Sequence, residues 1–314
     1  MTFLLTGASG FVGNSILKTA EQRRLKIRPV YRSMDSANGR PNSVLVSELD
    51  GTVDWSQALE GVDVVIHAAA RVHIMREEAF DPLAEYQRVN VNGTLNLARQ
   101  GAAAGVRRFV FISSIKVNGE ATMHGHPFTT DDFPAPEDAY GLSKAESESQ
   151  LMQVAQETGM EVTIIRPPLV YGPGVKGNFS NLLRWVACGL PLPLGSATTN
   201  RRSLVGLDNL VDLILTCVDH PMAANQTLLV SDGEDLSTAD LLSRIGKALN
   251  RPARLIPVPV SILIIASRLL GKSSIAQRLL GSLQVDISKT CTLLNWKPPL
   301  SVDEGLRRAA QQRL

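Results

Sequence analysis

Apolar and polar positions fall into alternating blocks along the first 170 or so residues. Phe3-Leu4-Leu5 opens the chain with a short apolar run. KIRPVYRS (26–33), Ser43 to Val46, VDVVIHAAA (62–70), RRFVFISS (107–114) and EVTIIRPPLVYGPG (161–174), the last stopped by prolines, are further β-type runs. Between them lie stretches with helical spacing. One ends at Arg23-Arg24, and a second runs through RVNVNGTLNLARQGAAAG after Asp81-Pro82, where Asp81 reads as the cap and Pro82 as first turn. A third is DAYGLSKAESESQLMQVAQE, free of Pro and Gly from Leu142 until Gly159. Regular alternation of strand and helix predicts an α/β chain with a doubly wound parallel sheet. After Gly174 strands become scarce, helices shorter and loops richer in Pro and Gly, which predicts a smaller lobe. No internal repeat or low-complexity segment is present.

The segment TFLLTGASGFVG (2–13) places Gly7, Gly10 and Gly13 after the first strand and at the start of a helix. Backbone N–H groups and a helix dipole face an anion closely only where no side chain intervenes, so this turn, with Ser9, Phe11 and Val12, is a candidate cradle for a dinucleotide pyrophosphate. The run ending at Tyr31-Arg32-Ser33 lacks the acidic residue that would hold a ribose 2′-hydroxyl. Arg32, with Arg28 and Arg40 nearby, suits a 2′-phosphate, so NADP(H) is expected over NAD(H), Asp35 being the residue that would reverse the preference. Glu48 and Leu49 suit the adenine side. Ala68, Ala69 and Ala70, small residues at a strand end, let a flat cofactor lie against the backbone.

Tyr140 and Lys144 stand four apart on one helix face. An ammonium one turn from a phenol favours the phenolate, so the pair can move a proton near neutrality where it is desolvated.

Composition narrows the class. The 314 residues are 44% hydrophobic and 20% charged with a net charge of +2, which fits a globular chain with a large core and gives no basic field for nucleic acid or an anionic membrane. Cys188, Cys217 and Cys291 suit neither a zinc site nor a disulfide framework, and the start goes straight into a strand, so a cytoplasmic protein is expected. His124 and His126, without a nearby Cys or carboxylate ligand, predict no metal. The most apolar stretch, Val258 to Leu270, is too short to span a bilayer and reads as a buried helix or subunit contact, since it lacks a cationic face for the membrane interface.

TGASGFVG, HAAA (67–70), VNVNGT (89–94), SSIKVNGE (113–120), YGLSK (140–144), RPPLVYGPG (166–174) and NRRSLVGLDNLVD (200–212), taken in this order, resemble the extended short-chain dehydrogenase/reductase family, in its nucleotide-sugar epimerase, dehydratase and reductase branch. LLNWKPPLSVDEGL is similar to the branch's C-terminal Leu-Gly-Trp-x-Pro signature, with Asn295 in place of Gly. The resemblance implies a Rossmann-like domain over 1–174 and a nucleotide-sugar lobe over 175–314, some of whose segments return to the sheet. It also implies a homodimer. Ser114, Tyr140 and Lys144 become the catalytic set: Ser114 bonds the substrate oxygen, Tyr140 is the general acid/base, and Lys144 binds the nicotinamide ribose and keeps the phenol pKa low. Asn90 and Pro167 join the cofactor contacts. Lys116, Asn178, Phe179 and the diphosphate-binding Arg202 (or its neighbour Arg201) fall to the UDP-sugar, with Leu192, Pro193 and Leu194 of GLPLPLG around uracil. For Arg184 and Trp185, packing of a helix onto the lobe is at least as good a reading as substrate contact, and His73 is a weaker candidate for the sugar.

Dehydratases of the branch carry an Asp-Glu pair directly after the catalytic Ser/Thr, where this chain has Ile115 and Lys116, so dehydration is disfavoured. Arg32, SSIKVNGE and Leu169 (Asn in many epimerases) lead to the expectation of a 4-ketoreductase acting on UDP-4-keto-6-deoxy-N-acetylhexosamines with NADP(H), giving UDP-N-acetyl-quinovosamine or -fucosamine for surface polysaccharide. A UDP-hexose 4-epimerase with bound NAD is the alternative. A non-catalytic NADP-binding sensor and a reductase of a non-sugar ketone stand further off.

Overall fold

The computed structural model describes residues 1–37, 40, 42–72, 81–123 and 125–311, apart from the side chains of Met34, Asp35 and Ser274. Ten strands are present among them: β1 (Thr2–Thr6), β2 (Lys26–Tyr31), β3 (Val44–Leu45), β4 (Val64–His67), β5 (Arg108–Ile112), β6 (Glu161–Arg166), β7 (Leu169–Tyr171), β8 (Arg202–Gly206), β9 (Gln226–Leu229) and β10 (Asp235–Leu236). Seven form a sheet in the order β3-β2-β1-β4-β5-β6-β9, every pair parallel. The order reverses at β1, the switch point where a doubly wound sheet opens a crevice at its carboxyl edge.

Both faces of the central strands are covered, as parallel sheets require. Leu5, Ile66 and Val110 pack with the Leu207–Cys217 helix on one side. Leu4, Val65 and Phe109 point the other way, toward the Gly93–Ala103 and Ala139–Thr158 helices. A smaller sheet, β10-β8-β7, lies beneath a third apolar cluster that includes Tyr171, Phe179, Leu183, Leu242 and Leu306.

Two expectations need correction. The run 161–174 is two strands in two sheets, because Pro167 and Pro168 between them cannot donate to a ladder and turn the chain out of the first sheet. The apolar stretch Val258 to Leu270 is not a buried helix: Val260–Leu269 contains no buried residue, because it stands at the edge of the fold and packs chiefly against the Ser273–Leu280 helix. Asn295, by contrast, explains its own substitution. It ends the Ser288–Leu294 helix in the left-handed region at φ +45°, a conformation open to Gly and, next best, to Asn.

One buried ion pair ties the sheet to the helix that follows β5. Arg166, at the end of β6, donates from Nη2 to Glu148 Oε2 at 2.5 Å and from Nη1 to Asn118 Oδ1 at 2.9 Å, while Ser113 Oγ donates to the same carboxylate. Both charged side chains are buried. Removing one charge strands the other, so Arg166→Met should lower stability by about 3–5 kcal/mol in urea unfolding, and adding Glu148→Leu should restore much of the loss. Additive losses in the double variant would contradict this account.

Candidate active site

The turn after β1 is fixed by packing as much as by dihedral preference. Gly7 has φ +72°, and a Cβ there would come within 2.7 Å of the Ala68–Ala69 backbone; a Cβ on Gly13 would lie 2.1 Å from the Gly7 carbonyl oxygen. The Phe11–Gln22 helix begins at Gly10 without a side-chain cap, so its first N–H groups face the crevice undecorated. From this turn a cavity of about 760 Å³ runs along the carboxyl ends of the strands. The absent side chains are what a pyrophosphate needs, so the turn fits a dinucleotide.

The cavity gathers most of the expected cofactor residues. Gly7, Ser9, Gly10, Phe11, Val12 and Gly13 line one end; Arg32, Glu48 and Leu49 the next; Ala68, Ala69 and Ala70 the floor; and Ser114, Tyr140, Lys144 and Pro167 the far end. Asn90 does not line it. Buried in a π-helical segment, Gln87–Asn92, it accepts from Arg71 N–H at 2.8 Å and donates to the Arg71 carbonyl and to Ser143 Oγ at 3.0 Å, which makes it a strut under the site. Arg28 and Arg40 are also corrected: Arg28 donates to the Ala58 and Glu60 carbonyls and Arg40 pairs with Glu21, so of the three arginines only Arg32 lies at the cavity. The Asp35 side chain and His73 and His124 lie outside the described residues. No group of three or more His, Cys, Asp or Glu with metal-holding geometry occurs among those described.

At the far end, Ser114 follows β5 and opens the one-turn helix Ile115–Val117, accepting the Lys116 N–H at 3.2 Å. The Ile115 N–H donates to the Pro167 carbonyl at 3.0 Å, which seats this turn on the neighbouring strand's exit. Tyr140 enters on the first turn of the Ala139–Thr158 helix. That helix is capped by Asp138, which accepts the Gly141 N–H at 2.7 Å and, through its other oxygen, the Lys116 ammonium at 2.5 Å. Gly141 is required here, because a Cβ would stand 2.8 Å from the Lys116 carbonyl oxygen. Lys144, four residues on, is buried, donates to the Ile112 carbonyl at 2.9 Å and lies 4.3 Å above the Phe111 ring.

Burial sets the protonation states. It brings Lys144 down to about 7 against a smaller opposing pull from Glu148. Burial, then the Asp138 carboxylate and Tyr86, pushes the Tyr140 phenol above its ordinary value. The expectation that Lys144 keeps the phenol pKa low is therefore corrected: its side chain is directed to the Ile112 carbonyl. Burial opposes the charge on Lys116, but Asp138 and Glu120 outweigh it and hold that ammonium above the usual lysine value. His67, at the end of β4, sits between Thr6 Oγ1 at 2.8 Å and Thr94 Oγ1 at 3.0 Å; burial, with Lys144 nearby, takes it down to about 3.

Ser114 apart, the expected substrate residues do not line this cavity. Phe179 is corrected outright, since its side chain is buried in the lobe's core and stacked on Tyr171 at 5.2 Å. Asn178 beside it is exposed at the start of the Gly177–Ala187 helix. Arg202 is largely enclosed on β8 and donates to the Gly281 carbonyl at 3.1 Å; burial and the neighbouring Arg278 lower its pKa against a smaller pull from Glu120. Arg201 is occupied by the Thr198 and Asn200 carbonyls. Leu192 and Leu194 are buried and Pro193 is exposed; the Leu192 and Gly195 N–H groups already donate to the Arg254 and Ile256 carbonyls. Sequence reasoning missed Asp138, Glu148 and Gly141. Asp138 was within reach, as an Asp three residues before Gly141 at a helix start is a capping signal.

The family model described as "Epimerase: NAD dependent epimerase/dehydratase family" matches residues 3–230. A Vibrio cholerae UDP-glucose 4-epimerase is 49% identical over 312 residues, covering 99% of this chain and 94% of its own. An Escherichia coli O157:H7 N-acetyl-alpha-D-glucosaminyl-diphospho-ditrans,octacis-undecaprenol 4-epimerase is 29% identical, covering 98% and 94%. Among solved structures, UDP-glucuronic acid 4-epimerase from Bacillus cereus in complex with NAD superposes with a TM-score of 0.79 at 20% identity, over 99% of this chain and 98% of that one.

The buried His67 has a consequence for acid stability. Its folded pKa lies far below the unfolded value, so as pH falls through about 6.5 the unfolded chain takes a proton that the native chain refuses, and stability drops down to about pH 3. At pH 5 this amounts to about 2 kcal/mol. Urea unfolding of wild type and His67→Gln between pH 7 and 5 should show a steeper decline for wild type. Parallel declines would mean that His67 is protonated in the fold.

Proposed function

The chain belongs to the NAD dependent epimerase/dehydratase family, and we propose that within it the protein is a UDP-hexose 4-epimerase working with bound NAD. The observation that carries this reading is the Vibrio cholerae relative, alike over nearly the whole of both chains. The gathering of Ser114, Tyr140 and Lys144 at one end of the dinucleotide cavity supports it. The 4-ketoreductase expected from Arg32 and Leu169 has less support. Arg32 is exposed and stands at the cavity without Arg28 or Arg40. A dehydratase is disfavoured further, since Ile115 is buried against Leu229, Leu283 and Val285, and Lys116 is held between Asp138 and Glu120.

The turn at Gly7, Gly10 and Gly13 would hold the pyrophosphate, and Ala68 to Ala70 with Pro167 the nicotinamide half. Bound nicotinamide supplies reversible two-electron oxidation at the sugar carbon. Tyr140 accepts the proton of the hydroxyl at carbon 4 as that carbon is oxidised, and returns it when the ketone is reduced from the opposite face. Ser114 holds the same oxygen by a hydrogen bond. In this reading Lys144, titrating near neutrality, turns from the Ile112 carbonyl to bond the ribose, which brings its positive charge toward the phenol and lowers the phenol pKa. Arg202 is the cation for the substrate diphosphate, and a guanidinium makes the paired contacts a phosphate accepts.

Incubation of the purified protein with UDP-glucose and no added reductant should yield UDP-galactose, and acid release should deliver NAD rather than NADP. Tyr140→Phe should lower kcat by about 10²–10⁴-fold while thermal unfolding stays near wild type. Oxidation of NADPH with a UDP-4-keto-6-deoxy sugar, and no epimer from UDP-glucose or UDP-N-acetylglucosamine, would replace this reading with the ketoreductase.

A further inference from the structure

The helical hairpin made by Val260–Leu269 and Ser273–Leu280 stands outside the chemistry described so far. Ile262, Ile265 and Leu269 are 54%, 57% and 82% exposed and follow one another at spacings of three and four, so they form one stripe on the first helix; Leu270 extends it at the turn, 70% exposed. The other side of the hairpin, at Leu263, Ala266, Leu279 and Leu280, faces a trough of about 610 Å³ floored by Trp185 and Leu192, which Leu270 and Lys272 at the turn border as well. Such an apolar stripe on a soluble chain marks an interaction surface.

Charge says what covers it. From residue 241 to residue 285 the chain carries Arg244, Lys247, Arg251, Arg254, Arg268, Lys272 and Arg278 and no Asp or Glu. The whole chain has a net charge of only +2, so this 45-residue segment is a basic island and the remainder is acidic. Arg244 is neutralised by Glu234 and Asp303, but Arg254, Arg268, Lys272 and Arg278 are exposed and make no ion pair among the described residues. Arg268 and Lys272 flank Leu269 and Leu270 at the hairpin's turn. Two copies of this surface meeting face to face would bring these cations together without an anion to offset them. An anionic bilayer offers the complement, with phosphates for the cations and acyl chains for the stripe. The cationic face that the sequence pattern of Val258 to Leu270 does not display comes from the turn and the neighbouring segments instead.

We propose that this hairpin docks the protein onto an anionic lipid surface, lying in the interface with Ile262, Ile265, Leu269 and Leu270 inserted and Arg268 and Lys272 at the headgroups. No helix among the described residues is long and apolar enough to cross a membrane, so the docking is peripheral. The proposal does not depend on which sugar is the substrate.

The full chain should float with vesicles of phosphatidylethanolamine and phosphatidylglycerol and stay behind with pure phosphatidylcholine. Raising salt from 0.05 to about 0.5 M should weaken the binding. Ile265→Asn with Leu269→Asn, and separately Arg268→Glu with Lys272→Glu, should each reduce the bound fraction at least about tenfold. Thermal unfolding should stay as in wild type for both, because these side chains are exposed, and turnover of soluble substrate should stay unchanged in Ile265→Asn with Leu269→Asn, whose side chains line neither the cavity nor the trough. Absence of flotation with anionic vesicles would overturn the proposal. So would equal binding by wild type and both double variants. A dimer by light scattering that Leu269→Asn turns into a monomer, without lipid binding, would assign the stripe to a second copy.

Discussion

A lysine held inside the protein fixes the relation between the Ala139–Thr158 helix and the sheet. Lys144 donates to the Ile112 carbonyl at the very end of β5, over the Phe111 ring, and is almost wholly enclosed. A hydrogen-bonded ammonium in that position allows little sliding of the helix along the strand, since any slip would leave a buried charge without its acceptor. Residues on the same helix face follow from this seat. Ser143 and Ser147 are small enough to let the helix approach the π-helical segment, and Ser147 donates to the Asn90 carbonyl at 2.8 Å. Glu148 then meets Arg166 and Ser113, and Gly141 meets the Lys116 carbonyl. Tyr140 is placed at the cavity mouth by the sum of these contacts.

That face is polar, which is why its burial could not be read from hydrophobic periodicity. Ser143, Lys144, Ser147 and Glu148 are buried on the face that Leu151, Val154 and Ala155 continue, so hydrophobic spacing locates the buried face only in the helix's second half. The motif carried the information instead: Tyr140 and Lys144 at a spacing of four, placed after a strand that ends on Ser114. Strands were more legible. β1, β4 and β5 hold unbroken apolar runs because both their faces are covered, and β6 is broken only by the buried Thr163. The break at Pro167-Pro168 was visible too, but which sheet the chain enters after it depends on pairing of β7 with β8, thirty residues away, which no local pattern encodes.

The glycine turn and the adenosine end of the cavity differ in how strongly the sequence constrains them. At Gly7 and Gly13 a single added carbon collides with backbone, so residue type and structure determine each other. At Arg32, Glu48 and Arg88 long charged side chains reach across an open rim, and Arg88 bonds Glu48 at 2.8 Å as well as Glu85. Sequence proximity misassigned Arg28 and Arg40 because a guanidinium goes to whichever acceptors its strand or helix presents, here carbonyls at the base of the Ser56–Leu59 helix and Glu21 on the far side.

The segregation of charge along the chain places the chemistry and the outer surface under separate control. Charges around the cavity are largely paired off, Lys116 with Asp138 and Glu120, Arg166 with Glu148, Arg88 with Glu48 and Glu85, while Arg32 stands exposed at its edge. The 241–285 segment does the reverse and leaves most of its cations unpaired at the surface. Arg202 lies where the two regimes meet, on β8 beside Gly281 at the base of the hairpin, with Arg278 close enough to lower its pKa. Arg278 is exposed while Arg202 is largely enclosed, so the cost of their proximity falls on Arg202, offset in part by Glu120. An anion bound at Arg202 would also be felt at Arg278, so electrostatics join β8 to the base of the hairpin.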